Sequence, residues 1–255
     1  MNQKGNRFQF SLTGSSLKLL AIATMLIDHI GASILEPLIA ANNAHTIVSP
    51  FVTGLQLDYV LLERMDFIFR SIGRIAFPIF CFLLVEGFLH TRNKRTYAIR
   101  LGIFALISEL PFDLAFWRVL YYPDHQNVFF TLFLSFLCMI LCEKFLKKET
   151  TNAVIKNILC GITVLLTMLL AFLLRTDYHA FGILAVMLLY FLRQNPTKQL
   201  IGGSLYFFSW EPLGAVAFLP IAGYNGKRGF SLKYFFYAFY PLHLLALYGI
   251  NCLIR

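Results

Sequence analysis

The chain has 255 residues, 58% of them hydrophobic and only 14% charged, with a mean hydropathy of +0.68. This balance excludes an ordinary water-soluble domain, and apolar runs of about 20 residues recur along the chain, leaving no stretch for a separate soluble unit. The net charge of +9 does not argue for nucleic acid, because the basic residues form short clusters between apolar runs, where orientation in a lipid bilayer explains them.

Residues 1–255 therefore read as a single integral membrane domain, an all-α polytopic helix bundle. Lys4 and Arg7 precede the first apolar stretch as in a signal peptide. Asp28 and His29 interrupt that stretch and no small-residue cleavage site follows, so it reads as a retained first helix. Matched to bilayer thickness, the apolar runs predict about eight spans, at 17–39, 68–90, 97–117, 128–145, 155–174, 179–192, 200–223 and 234–254. Trp210, Glu211 and Pro212 interrupt the seventh, so seven or nine spans are the alternatives. Residues 40–67 form the longest loop, with Pro50, Gly54 and an amphipathic stretch at 55–64. Cys81, Cys138, Cys142, Cys160 and Cys252 make no Cys-x-x-Cys pair and read as apolar packers, with no metal site expected.

With the N-terminus cytoplasmic, Lys4, Arg7, Lys18, Arg92, Lys94, Arg95, Arg100, Lys144, Lys147, Lys148, Lys156, Arg193, Lys198 and Arg255 fall inside. Arg64, Arg70, Arg118, Arg175, Lys227, Arg228 and Lys233 fall outside, an inside excess of about two to one. Lys227 and Arg228 are the outer pair that orientation leaves unexplained. The same frame gathers Asp28, His29, Arg74, Glu109, Asp113, Asn127, Thr131, Asp177, Tyr178, Tyr240 and His243 in the outer half. A charge at mid-bilayer costs about 2.5–3.5 kcal/mol on insertion scales, so these groups should face one another. Glu109 and Asp113, Arg70 and Arg74, and Asn127 and Thr131 are each four apart and share a helix face. Asp28 and His29 point about 100° apart, so one of them should pair with Arg74 or with another helix. The alternative for any single charge is an ion pair that holds the bundle together, and a lone His243 reads first as a packing residue.

Lys18 and His29 are eleven positions apart, about 16 Å along one helical stripe. Such a first helix resembles that of the acyltransferase-3 membrane acyltransferases, which carry Arg, ten residues, then His; Lys18 stands here for the Arg. The chain more closely resembles the TraX family, in segments 27–31 (IDHIG), 73–80 (GRIAFPIF), 86–91 (EGFLHT), 108–114 (SELPFDL), 127–132 (NVFFTL), 177–178 (DY), 224–229 (YNGKRG) and 239–244 (FYPLHL). That resemblance implies transfer of an acetyl group from acetyl-CoA to a pilin-like N-terminus or a cell-envelope substrate across a bacterial inner membrane. On it, Lys18, Glu86, His90, Arg92 and Arg95 are the candidates for holding CoA. His29 is the candidate general base, or a nucleophile forming acetyl-histidine, with Asp28 to orient it. Asn127 and Arg74 lead the candidate oxyanion donors, ahead of Tyr240 and Asn225. Asn225, Lys227 and Arg228 form a candidate acceptor-side loop. Two other readings compete: a small transporter or flippase built around a polar cavity, and a non-catalytic pilus or envelope assembly factor.

Overall fold

A computed structural model describes residues 11–43, 59–149, 152–231 and 233–254, and these form an all-α bundle. Lys4, Arg7, Pro50, Gly54 and Arg255 lie outside the described residues, as does the first part of the stretch at 55–64. Helix α1 (Gly14–Ile30) starts at Thr13, whose side chain accepts from the Ser16 N–H, and a π-helical turn (Gly31–Leu35) joins it to α2 (Glu36–Asn43). Helix α3 (Tyr59–Gly73) turns at Arg74 and Ile75 into α4 (Ala76–His90). Pro78 accounts for that break, since it lacks the N–H that would bond the Arg74 carbonyl and its ring would clash there. Asn93, Asn127, Asn152 and Asn195 each cap the next helix through a side-chain carbonyl: α5 (Lys94–Phe116), α6 (Val128–Lys147), α7 (Ala153–Leu173) and α9 (Pro196–Trp210). Helix α8 (His179–Leu192) starts instead from a left-handed Tyr178. Pro212 stops α9 and opens a 3₁₀ segment (Pro212–Ala217), followed by α10 (Phe218–Ala222) and α11 (Lys233–Ile254).

Among the described residues, five helical stretches are long and apolar enough to cross a membrane: Gly14–Ala41, Tyr59–His90, Val128–Lys147, Ala153–Leu173 and Phe235–Ile254. Helix α5 is long enough but carries Lys94, Arg95, Arg100, Glu109 and Asp113, while α8 and α9 are short. Helices α5 and α9 nevertheless present exposed apolar faces, at Ile103, Leu106 and Leu110 and at Ile201, Leu205 and Phe208. Helix α4 is the centre, packed by α1, α6, α8, the 3₁₀ segment and α10, with Phe77, Ile79, Cys81, Val85 and Phe88 buried. Helix α7 is peripheral and presents Ile158, Leu165, Leu166, Leu169 and Phe172 outward, as a lipid-facing helix should.

The seventh predicted span is a hairpin rather than one crossing. Helix α9 rises to Glu211, which pairs with Arg74, and the chain then descends alongside α4, where the Tyr224 ring meets Phe82 edge-on at 5.3 Å. It arrives at the start of α1: Leu12 N–H donates to the Gly223 carbonyl (2.8 Å) and Asn225 N–H to the Leu12 carbonyl (2.9 Å). The extra pass reverses α11, which runs parallel to α1, with Lys18 over the Phe236 ring at one end and Asn251 bonded to the Ser33 carbonyl at the other. Asn225, Lys227 and Arg228 therefore lie at the Lys18 end, not on the opposite side as expected, and Tyr240 and His243 are reached from that end. The correction removes the anomaly in the charge pattern. Apart from Arg64, Arg70, Arg74, Arg118 and Arg175, the described basic residues gather at the end that the positive-inside rule assigns to the cytoplasm.

This topology predicts the sidedness of thiol labelling. In a Cys252→Ser background, where the remaining cysteines are buried, Lys227→Cys should be labelled from the same face as Arg92→Cys and from the face opposite Leu120→Cys. Labelling of Lys227→Cys together with Leu120→Cys would restore the eight-span arrangement.

Candidate functional site

His29 lies in the last turn of α1, immediately before the π turn, and its closest polar neighbour is on α11. His29 Nδ1 is 2.7 Å from His243 Nε2, with the two rings stacked 9° from parallel. His243 Nδ1 lies 2.8 Å from the Phe239 carbonyl, which can only accept, so this nitrogen carries the proton. His243 Nε2 then offers a lone pair and accepts from the His29 Nδ1–H, leaving the lone pair of His29 on Nε2. Two hydrogen bonds fix the tautomer without any carboxylate. His243, read from sequence first as a packing residue, is the direct partner of His29. Phe116 and Tyr240 close on the imidazole edge-on at 5.2 and 6.0 Å.

The π turn is braced from α11. The Asn251 amide donates to the Ser33 carbonyl at 2.8 Å, and Ser33 Oγ donates to the His29 carbonyl at 2.6 Å. A π turn shifts the helix face by inserting a residue, a device frequent beside functional groups.

Asp28 makes no hydrogen bond to His29. Its Oδ2 accepts from Arg70 Nη1 at 2.7 Å, and Arg70 Nε reaches Glu36 at 3.2 Å. Gly31 and Gly73 make room for this bridge, and a Cβ on Gly73 would fall 2.2 Å from the Asp28 side chain. Arg70 and Arg74 stay one helical turn apart, with Arg74 N–H donating to the Arg70 carbonyl at 3.3 Å, but their guanidinium groups take different partners, that of Arg74 reaching Glu211 at 3.5 Å. Arg74 nevertheless lies in the field of Asp28, Asp177 and Tyr178, so it borders the same cluster.

Asn127 has a different occupation from the one expected. Its amide hydrogens go to Glu109 Oε2 and to the Ala105 carbonyl (2.8 Å), and its Oδ1 caps the Phe129 N–H at 3.0 Å. With both hydrogens used it ties α6 to α5 and has none left for an oxyanion. Asp113, fully buried, accepts from the Tyr122 N–H at 2.9 Å. Thr131 Oγ1 donates to the Asp177 carbonyl, and the Asp177 carboxylate lies 3.6 Å from His125 Nε2. Two outer loops are sewn together by Gln126 N–H to the Arg175 carbonyl and Asp177 N–H to the Gln126 carbonyl, both 2.9 Å. Tyr178, with φ +60°, stacks on Phe77 at 3.7 Å. Glu109, Asp113, Thr131, Asp177, Tyr178 and Tyr240 thus meet at the outer end as expected.

At the other end, Lys18 lies in the field of Arg228 and Glu86 is engaged by the Tyr224 hydroxyl, so both border the loop at 224–229 rather than His29. Glu86 and His90 are 3.9 Å apart on successive turns, and Arg92 and Arg95 are exposed. The stripe from Lys18 to His29 is covered midway, where Met25 packs with Tyr240 and Leu244 of α11. No group of three His, Cys, Asp or Glu residues among those described could hold a metal ion.

Sequence reasoning missed Arg70, Glu211 and His125 as members of the outer cluster. Arg70 was legible as an arginine inside a predicted span that needs an acid, although the sequence offers it Asp66 as well as Asp28. Glu211 was seen only as a helix interruption, and His125 sits in a connection, where no periodicity marks it.

Replacing Gly73 by alanine should force Asp28 away from Arg70. We expect a loss of about 1–3 kcal/mol of stability, read as a lowered Tm in detergent, whereas the neighbouring Ser71→Ala should leave Tm nearly unchanged. The Asp177 carboxylate raises the pKa of His125 above the usual imidazole range, against the opposing effect of burial and with help from Glu109 and Asp113. A raised folded-state value means that this pair stabilises the fold fully below about pH 6.5 and that its contribution is lost as pH rises through the raised value. Tm should therefore fall across that window in the native protein, and His125→Gln should flatten the fall. An unchanged slope in His125→Gln would remove the pair from the outer network.

A family model described as "TraX protein" matches residues 13–251. The chain is also similar to "Probable fimbrial assembly protein FimC, serogroup H1" of Dichelobacter nodosus, 28% identical over 212 residues that cover 70% of this chain and 80% of that protein. No solved structure matches it. The matched residues take in both histidines of the pair and the helix breaks beside them, and this chain belongs to the TraX family.

Proposed function

We propose that the protein is an acetyl-CoA-dependent acetyltransferase of a bacterial cytoplasmic membrane, moving acetyl to an amine or hydroxyl of an extracytoplasmic substrate such as a pilin-like N-terminus or an envelope glycan. The observation that supports it most directly is the fixed tautomer of His29, whose Nε2 lone pair is held ready by His243 and the Phe239 carbonyl. In the proposed step the acceptor oxygen or nitrogen attacks the thioester carbonyl while His29 Nε2 takes its proton. The new bond to acetyl forms, the C–S bond breaks, and His29 returns the proton to the departing thiolate. With Asn127 committed to Glu109, Arg74 is the remaining leading donor for the oxyanion, and Glu211 sets its direction. Asp28 and Arg70 hold α3 against α1 and act on His29 through position. The donor arm, arriving from the Lys18 end, requires α1 and α11 to part where Met25 meets Leu244.

A second reading has one observation in its favour, the similarity to the Dichelobacter protein described as a probable fimbrial assembly protein: a pilus assembly factor in which the same polar cluster only packs helices. The two differ at His29 and His243. Purified protein given acetyl-CoA and an amine or hydroxyl acceptor should release free thiol. His29→Ala should lower the rate by about 10²–10⁴-fold, the range of general-base contributions, and His243→Ala should lower it by a smaller factor with Tm nearly retained. Wild-type turnover in a folded His29→Ala protein would remove the acetyltransferase assignment.

A further inference from the structure

The segment 224–229, expected on the acceptor side, is built firmly onto the start of α1. Gly14 N–H donates to the Lys227 carbonyl at 2.8 Å and Ser15 N–H to the Arg228 carbonyl at 3.0 Å. Asn225 braces the turn twice, donating to Ser11 Oγ (2.7 Å) and accepting from Lys227 N–H (2.9 Å). Gly226 and Gly229 have φ near +75°, where side chains are strained, and a Cβ on Gly229 would fall 2.0 Å from Ser15 Oγ. With Ser16 N–H capped by Thr13, the first amides of α1 are already used and do not themselves offer a site.

What this folding accomplishes is to hold like charges together. Lys18 lies one turn beyond Gly14 and Ser15, within the field of Arg228, and Lys227 adjoins Arg228. Among the described residues none of the three forms an ion pair: Lys18 rests over the Phe236 ring, Arg228 reaches only Ser231 Oγ at 3.4 Å, and Lys227 and Arg228 are exposed. The acid facing the loop, Glu86, is engaged by the Tyr224 hydroxyl and lies beside His90. Orientation in the membrane accounts for cations at this end, but not for a braced turn that sets them against one another with no counter-charge. Repelling cations held by backbone bonds gain by sharing an anion between them.

We propose that Lys18, Lys227 and Arg228 form a phosphate-binding site at the cytoplasmic end of α1. A polyphosphorylated ligand suits cations grouped at one helix end, Lys18 in the field of Arg228 and Lys227 next to it in the braced turn. The same chemistry is offered by two sources, the phosphates of a CoA thioester and the headgroup of an anionic phospholipid. The first rests on the acetyltransferase reading and the second does not.

The full-length protein in nanodiscs of zwitterionic lipid, titrated with CoA by calorimetry, provides the test. Lys227→Gln/Arg228→Gln, which alters exposed side chains only, should weaken CoA binding by about tenfold or more, in line with the loss of charge-assisted hydrogen bonds, and removal of the 3′-phosphate from the titrant should reduce the difference. His29→Ala should bind CoA normally while losing transfer, so normal binding without transfer in the native protein would sink the enzymatic reading and leave the site standing. If CoA binding is unchanged in the double variant but phosphatidylglycerol co-purification, read by native mass spectrometry, falls severalfold, the site belongs to a lipid headgroup. Unchanged CoA binding together with unchanged lipid retention overturns the proposal and leaves these cations to membrane orientation.

Discussion

A hydrocarbon interior leaves a charged side chain two options, an end of the bundle or a partner, and the polar architecture follows from that constraint. Arg70 lies inside an apolar helix, and it is satisfied by Asp28 at 2.7 Å and Glu36 at 3.2 Å. Meeting those acids demands that α3 approach α1 so closely that only glycine fits at residue 73. Arg74, one turn on, instead pairs with Glu211, itself presented by the break at Pro212, and the helix breaks just beyond it, where Pro78 cannot donate to the Arg74 carbonyl. Gly214 of the 3₁₀ segment packs close to the freed Arg74 carbonyl, where a Cβ would fall 3.4 Å from its oxygen. The breaks at Pro78 and Pro212 thus lie beside Arg74 and Glu211, which pair with each other.

The chain so divided has ends of opposite character. The described acids other than Glu86, Glu143 and Glu149 lie toward the His29 end, and the described basic residues other than five arginines lie at the Lys18 end. Glu143 is itself surrounded there, by Lys94 and by Lys147 at 3.0 Å. Such separation needs the hairpin of α9 and α10. Without the extra pass, Lys227 and Arg228 would be placed among the acids, and α11 would run antiparallel to α1, carrying Asn251 away from Ser33. The single hydrogen bond from Asn251 to the π turn is therefore also a reporter of topology.

Much of this was legible in the sequence, and the parts that were not share a cause. Apolar runs located the helices because burial in lipid is written locally, residue by residue. Depth was legible for the same reason, and Glu109, Asp113 and Asp177 do lie toward the same end as Asp28 and His29. Pairing was not, because a partner is chosen by packing between distant segments. Asn127 is the clearest case. Its amide suits an oxyanion as well as a helix cap, and only the placement of Glu109 and Ala105 shows that both hydrogens are already used. The polarity of the last helix failed through one proline, since a crossing of 200–223 and a hairpin have the same composition and differ only in whether the chain turns back at Glu211.

The histidine pair bears on why the anchor of this relay is a carbonyl. A carboxylate behind His243 would fix the same tautomer, but it would add a charge at a depth where each costs about 2.5–3.5 kcal/mol. The Phe239 carbonyl, one turn before His243 on the same helix, is available because a histidine N–H can compete for it at 2.8 Å. The neighbouring Pro241 lacks a backbone N–H, which frees the carbonyl of Tyr237 and loosens the ladder around that turn. A neutral relay of two imidazoles and one peptide group therefore fixes the proton on His29 Nδ1 and keeps Nε2 open. The nearby charges of Asp28, Arg70 and Glu36 remain occupied with one another.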